Sequence, residues 1–140
     1  MVLKDTGMEK NKFFAAETNG LHIQVEPQYL AEESNPSIGK LIFTYKVTIV
    51  NSGVHAVQLL SRYWHIQDGL LSDREVHGEG VIGQQPTIDP GDSFSYVSWC
   101  PLHSPIGKMS GHYIFKDLEN ETLFEGKIPD FLLIADYLLN

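Results

Sequence analysis

From Leu21 onward the chain alternates apolar and polar residues with a period of two, the signature of half-buried strands. Ile23, Val25 and Tyr29 fall on one side of the first such run, while His22, Gln24, Glu26 and Gln28 fall on the other. Pro27 lacks a backbone N–H, which places it at a sheet edge or in a bulge. The segment Leu41 to Asn51 is the clearest strand, with Phe43, Tyr45, Val47 and Ile49 on one face and turn residues Asn51-Ser52-Gly53 ending it. A third strand spans Val57 to Gln67 with Leu60, Trp64 and Ile66 expected inward. Asp68-Gly69 is a strong hairpin signal, so Leu70 to Val76 reads as the return arm.

A Gly- and Pro-rich connection, His77 to Asp92, leads into a strand from Ser93 to Trp99. Cys100 to Gly107 is expected to be a loop. Strands then follow over Lys108 to Asp117 and Thr122 to Ile128, with Pro129 expected to stop the last. Apart from the tail, no window carries the i, i+3, i+4, i+7 spacing of a helix. The pattern therefore predicts an all-β fold: an immunoglobulin-like or fibronectin-III-like sandwich of about seven to eight antiparallel strands, with Trp64 in its core. Residues 1–19 are polar and expected to be a loosely ordered leader. Residues 20–140 then form one domain, ending in an apolar tail over 131–140. That tail, with Phe131, Leu132, Leu133, Ile134, Tyr137, Leu138 and Leu139, must cover itself on the sandwich or on a second copy as a homodimer.

Charge narrows the partners. Eighteen acidic against ten basic side chains give a net charge of −8. A field of that sign repels nucleic-acid phosphates and anionic membranes. The single cysteine, Cys100, has no internal disulfide partner. The N-terminal twenty residues lack a signal-peptide core, and the longest apolar stretch is too short to cross a bilayer, so the expected location is cytoplasmic.

The run Gly78-Glu79-Gly80-Val81-Ile82-Gly83 matches GxGxxG. In a dinucleotide-binding fold that run opens a helix, but Pro86 and Pro90 prohibit one here. Two readings remain: the glycines supply turns between strands, or successive N–H groups cradle a phosphate, with Arg74 the nearest cation in sequence. Cys100 and His103, with His112, are candidate metal ligands, although zinc sites usually show two short-spaced pairs and this chain has one. No strand–turn–helix elbow surrounds Cys100, Ser104 or Ser110, and the carboxylates form no catalytic motif.

Several blocks of the sequence resemble the ApaG family. They are Leu59-Leu60-Ser61-Arg62-Tyr63-Trp64, the run Val76 to Pro86, Pro90 to Tyr96, Cys100-Pro101-Leu102, Gly107 to Tyr113, and Ile128-Pro129-Asp130-Phe131. The resemblance implies a fibronectin-III-like sandwich. It also implies a non-enzymatic interaction module linked indirectly to divalent-cation homeostasis (cobalt resistance and magnesium efflux), with no tightly held cofactor and a protein partner of unknown identity. A second reading, also implied by the resemblance, is a phosphate, pyrophosphate or nucleotide ligand at Gly78, Gly80 and Gly83, with or without a divalent cation.

Overall fold

The computed structural model describes residues 13–139. Nine strands form two antiparallel sheets: β1 (Phe14–Thr18), β2 (Leu21–Tyr29), β3 (Leu41–Asn51), β4 (Val57–Asp68), β5 (Ser72–Glu79), β6 (Thr87–Ile88), β7 (Ser93–Leu102), β8 (Ile106–Asp117) and β9 (Thr122–Ile134). One sheet has the order β1-β2-β3-β7. The other runs β5-β4-β8-β9, with the two-residue β6 also on β4. The expected two-sheet sandwich is what forms; β1 and the short β6 raise the strand number to nine among the described residues.

The alternation read from the sequence builds the core. Ile23, Val25, Phe43, Val47 and Ile49 of one sheet face Leu59, Trp64, Met109, Tyr113 and Phe115 of the other, and all are buried. Trp64 lies at the centre, with ring centroids 5.1 Å from Tyr45 and 5.9 Å from Phe131. Within the core the Tyr96 and Tyr113 hydroxyls are hydrogen-bonded to each other. Burial pushes the pKa of both phenols up.

The structure departs from the sequence reading at several places: β5 runs on through His77-Gly78-Glu79 of the expected connection, and four other departures each have a local reason. First, Phe14–Thr18 of the expected leader is a strand paired with β2, because Phe14 packs near Phe131, with ring centroids 6.1 Å apart. The rest of that leader, residues 1–12, lies outside the described residues. Secondly, Leu60 does not point inward. The register on β8 slips between Leu59 and Ser61, so Leu60 is a bulge; Leu59 takes the buried place and the alternation changes sides.

Thirdly, β7 continues through Cys100 to Leu102, both buried against the core, where a loop is expected. Fourthly, Pro129 does not stop the last strand. Ile128 pairs with Gly111 and Phe131 with Met109, so Pro129 and Asp130 together oppose Ser110. A bulge is where a strand tolerates a residue without an N–H. The tail beyond it is therefore partly core: Phe131, Leu133 and Ala135 are buried, whereas Tyr137, Leu138 and Leu139 remain exposed.

The turns at one end of the sandwich are tied by a buried carboxylate. Asp68, whose side chain is 1% exposed, accepts hydrogen bonds from the backbone N–H groups of His103 (2.8 Å) and Ser104 (2.9 Å). His103 Nδ1 lies 3.1 Å away. Burial works to raise the Asp68 pKa, but the bonds from His103 and Ser104 outweigh it and hold the carboxyl below its ordinary value.

Candidate functional site

The Gly-rich segment leaves the end of β5 and is anchored at the β4 bulge. The Leu60 carbonyl, freed from regular pairing, accepts from Gly80 N–H (2.7 Å) and from Gln85 Nε2 (2.9 Å). Arg62 donates from one guanidinium nitrogen to the carbonyls of Glu79 (3.1 Å) and Gly80 (2.7 Å). Val81 and Gln84 exchange two backbone hydrogen bonds across Ile82 and Gly83.

Those two residues have φ of 42° and 76°, the double positive φ of a type I′ turn. Gly83 meets that demand without strain. Ile82 is β-branched and costs about 1–2 kcal/mol in such a conformation, and it is 55% exposed at the tip. Gly78 serves differently: a Cβ there would come within 2.7 Å of the Arg62 guanidinium carbon.

This geometry uses three of the loop's donors internally. The N–H groups of Gly80, Val81 and Gln84 all bond within the protein, whereas an anion nest requires successive N–H groups aimed at one point. Arg74, expected beside the glycines, lies elsewhere. It pairs in register with Ile66, whereas Gly78 pairs with Arg62. Four strand residues amount to about 13 Å. Its guanidinium donates to the Pro101 carbonyl (2.7 Å) and sits 4.0 Å from Asp68 and 3.7 Å from the Cys100 sulfur. The cation beside the glycines is Arg62. Arg62 lies on the strand expected over Val57 to Gln67, but the bulge just before it has no sequence signature.

The candidate metal ligands are not brought together. Cys100 is buried on the inner face of β7. Burial pushes its thiol up to about 11, so it is protonated at neutral pH. His103 is engaged with Asp68 at the β7–β8 turn. His112 is on the outer face of the other sheet, opposite Tyr63 in register. Among the described residues no three His, Cys, Asp or Glu side chains gather in a metal-holding group.

What the fold does assemble is a polar, aromatic face on the outside of β5, β4 and β8. Tyr63 pairs in register with His77 on one side and His112 on the other. Its ring lies 4.8 Å from that of His77 and 5.1 Å from that of His112, the latter nearly parallel at 28°. Carboxylates flank the row: His77 Nε2 is 3.6 Å from Glu75, His112 Nδ1 is 3.5 Å from Glu125, and His65 Nε2 is 3.1 Å from Asp73 on the next row. Burial first, and then the Glu75 charge and hydrogen bond, raise the Tyr63 pKa. Ser61, Arg62, Tyr63, His77, Gly78, Glu79, His112 and Ile114 enclose an open depression of ≈ 390 Å³. Rings and hydrogen-bonding groups are thus held on this face by strands whose other side is the core.

The fold and this face define a small antiparallel β-sandwich with a preformed outer surface. The comparisons with known proteins go further. The ApaG domain family model matches residues 31–117. Protein ApaG of Methylorubrum extorquens (strain PA1) is 46% identical over 125 residues, 89% of this chain and 95% of that one. Protein ApaG of Mesorhizobium japonicum is 47% identical over 120 residues, covering 86% and 92%. A Bordetella pertussis crystal structure described as an ApaA protein superposes with a TM-score of 0.80 at 46% identity, covering 82% of this chain and 93% of that one. The chain belongs to the ApaG family. Among the described residues no helix is long and apolar enough to cross a membrane.

Proposed function

We propose that this protein is a non-enzymatic binding module that engages a protein partner through the outer face of β5, β4 and β8. One observation carries the reading: Tyr63 is held between His77 and His112 in an open depression, on strands whose inner faces are the core. A tyrosine braced on both sides loses little side-chain freedom on binding, which is why aromatic anchors dominate interfaces. Any part in divalent-cation homeostasis is then indirect, exercised through that partner in the cytoplasm.

The phosphate reading receives less support, because three loop N–H groups and two Arg62 contacts are already committed within the protein. The test is retention of proteins from cell extract by wild type and by Tyr63→Ser, after both are shown to melt at the same temperature. The expected result is a protein retained by wild type and depleted at least tenfold by the variant. Equal retention overturns the proposal.

A further inference from the structure

β5 ends its sheet: among the described residues it pairs with β4 on one side and with no strand on the other. A free strand edge presents unpaired N–H and C=O groups and templates another strand. The outward side chains of β5 are Asp73, Glu75, His77 and Glu79, all exposed, and the strand's cation, Arg74, turns inward to the Pro101 carbonyl. The other sheet edges differ. β7 carries Pro101 and is crossed there by Arg74, while β1 lies against β9, where Lys127 N–H reaches the Thr18 hydroxyl at 3.4 Å.

From this placement we infer that the free edge of β5 accepts an extended, basic segment of a partner protein as an added strand, beside the outer face that carries Tyr63. The inference rests on the binding-module reading and supplies its partner's chemistry. Charge selects the occupant. A second copy docked edge to edge would bring acidic β5 side chains opposite one another, which is destabilising. Lysine or arginine at alternate positions of an incoming strand would lie beside those carboxylates instead. The eight residues of β5 match the length of an ordinary recognition strand.

The experiment uses the full chain and synthetic peptides eight residues long: alternating Lys-Val, alternating Glu-Val, and two Lys-Val versions N-methylated on one or the other set of alternate amides. Calorimetry measures affinity, and amide exchange followed by NMR locates the site. The Lys-Val peptide should bind at least tenfold more tightly than Glu-Val and slow exchange of the β5 amides that face away from β4. One N-methylated version should lose tenfold or more while the other binds normally. The double variant Glu75→Lys/Glu79→Lys, with unchanged melting temperature, should reverse the charge preference.

Equal binding of both charges, indifference to either N-methylation, or no binding at millimolar peptide overturns the inference. So does protection, without peptide, of the β5 amides that face away from β4, which would reveal a second copy if it grows with protein concentration and the chain itself if it does not. If the peptides fail while Tyr63→Ser still depletes a retained protein, the binding-module reading stands and the added-strand inference alone falls. If both fail, both fall.

Discussion

Replacing Asp68 by alanine should lower the unfolding free energy by about 3–5 kcal/mol, the usual cost of breaking a buried, multiply bonded charge. The substitution removes the acceptor of two backbone N–H groups at the β7–β8 turn and leaves Arg74 without its nearest carboxylate. Asp68→Asn keeps one acceptor oxygen and should cost less. The pH dependence has a definite sign. The folded-state pKa of Asp68 is depressed, so its contribution is fully present above the ordinary carboxylate pKa of about 3.9. It is lost as pH falls through the folded-state value. Urea unfolding of wild type and Asp68→Asn should therefore show a constant gap from about pH 7 to 5 that closes below about pH 4. A gap independent of pH down to acid unfolding would mean that the carboxylate charge contributes nothing.

Phe131→Ala should cost about 3–5 kcal/mol, as expected for truncating a fully buried aromatic. Phe131 is 1% exposed and its ring lies 6.0 Å from Tyr45, 5.9 Å from Trp64 and 6.1 Å from Phe14. Its neighbour Leu132 points outward at 47% exposure, and Leu132→Ala should stay within about 0.5 kcal/mol of wild type. Denaturation of the two variants side by side checks whether the segment after Pro129 is core. A loss under about 1 kcal/mol for Phe131→Ala would return it to the status of an appended tail.

That contrast shows what the sequence could and could not reveal. Strands β2, β3 and β8 are legible because their period-two patterns coincide with one buried face. Two of the departures fall where the alternation shifts by one. Leu60 and Pro129 both sit in bulges, and a bulge reverses inside and outside for every residue beyond it. Nothing local announces it: the extra residue on β4 is recognisable only opposite β8, about fifty residues away.

The candidate site follows the same logic. Gly78, Gly80 and Gly83 stand out in the sequence as a motif, yet the roles of Gly78 and Gly80 depend on Arg62, which reaches them through the β4–β5 register. Tyr63, His77 and His112 come from three strands and share no motif. Only the pairing of β4 with both neighbours makes them one row. Asp68 reads as a hairpin residue from Asp68-Gly69, and its turn does close with Leu71 N–H on the Asp68 carbonyl at 3.0 Å. Its larger task, holding the backbone of His103 and Ser104, spans thirty-five residues of sequence.

The two sheets offer competing outer surfaces, since Val97 and Trp99 are exposed at 53% and 58% on the other sheet. A photo-crosslinking amino acid placed at position 63 in one preparation and at position 99 in another decides between them inside living cells. The account predicts a discrete partner adduct from position 63 and none from position 99. Adducts from position 99 alone would contradict it and move the binding surface to the opposite face of the sandwich.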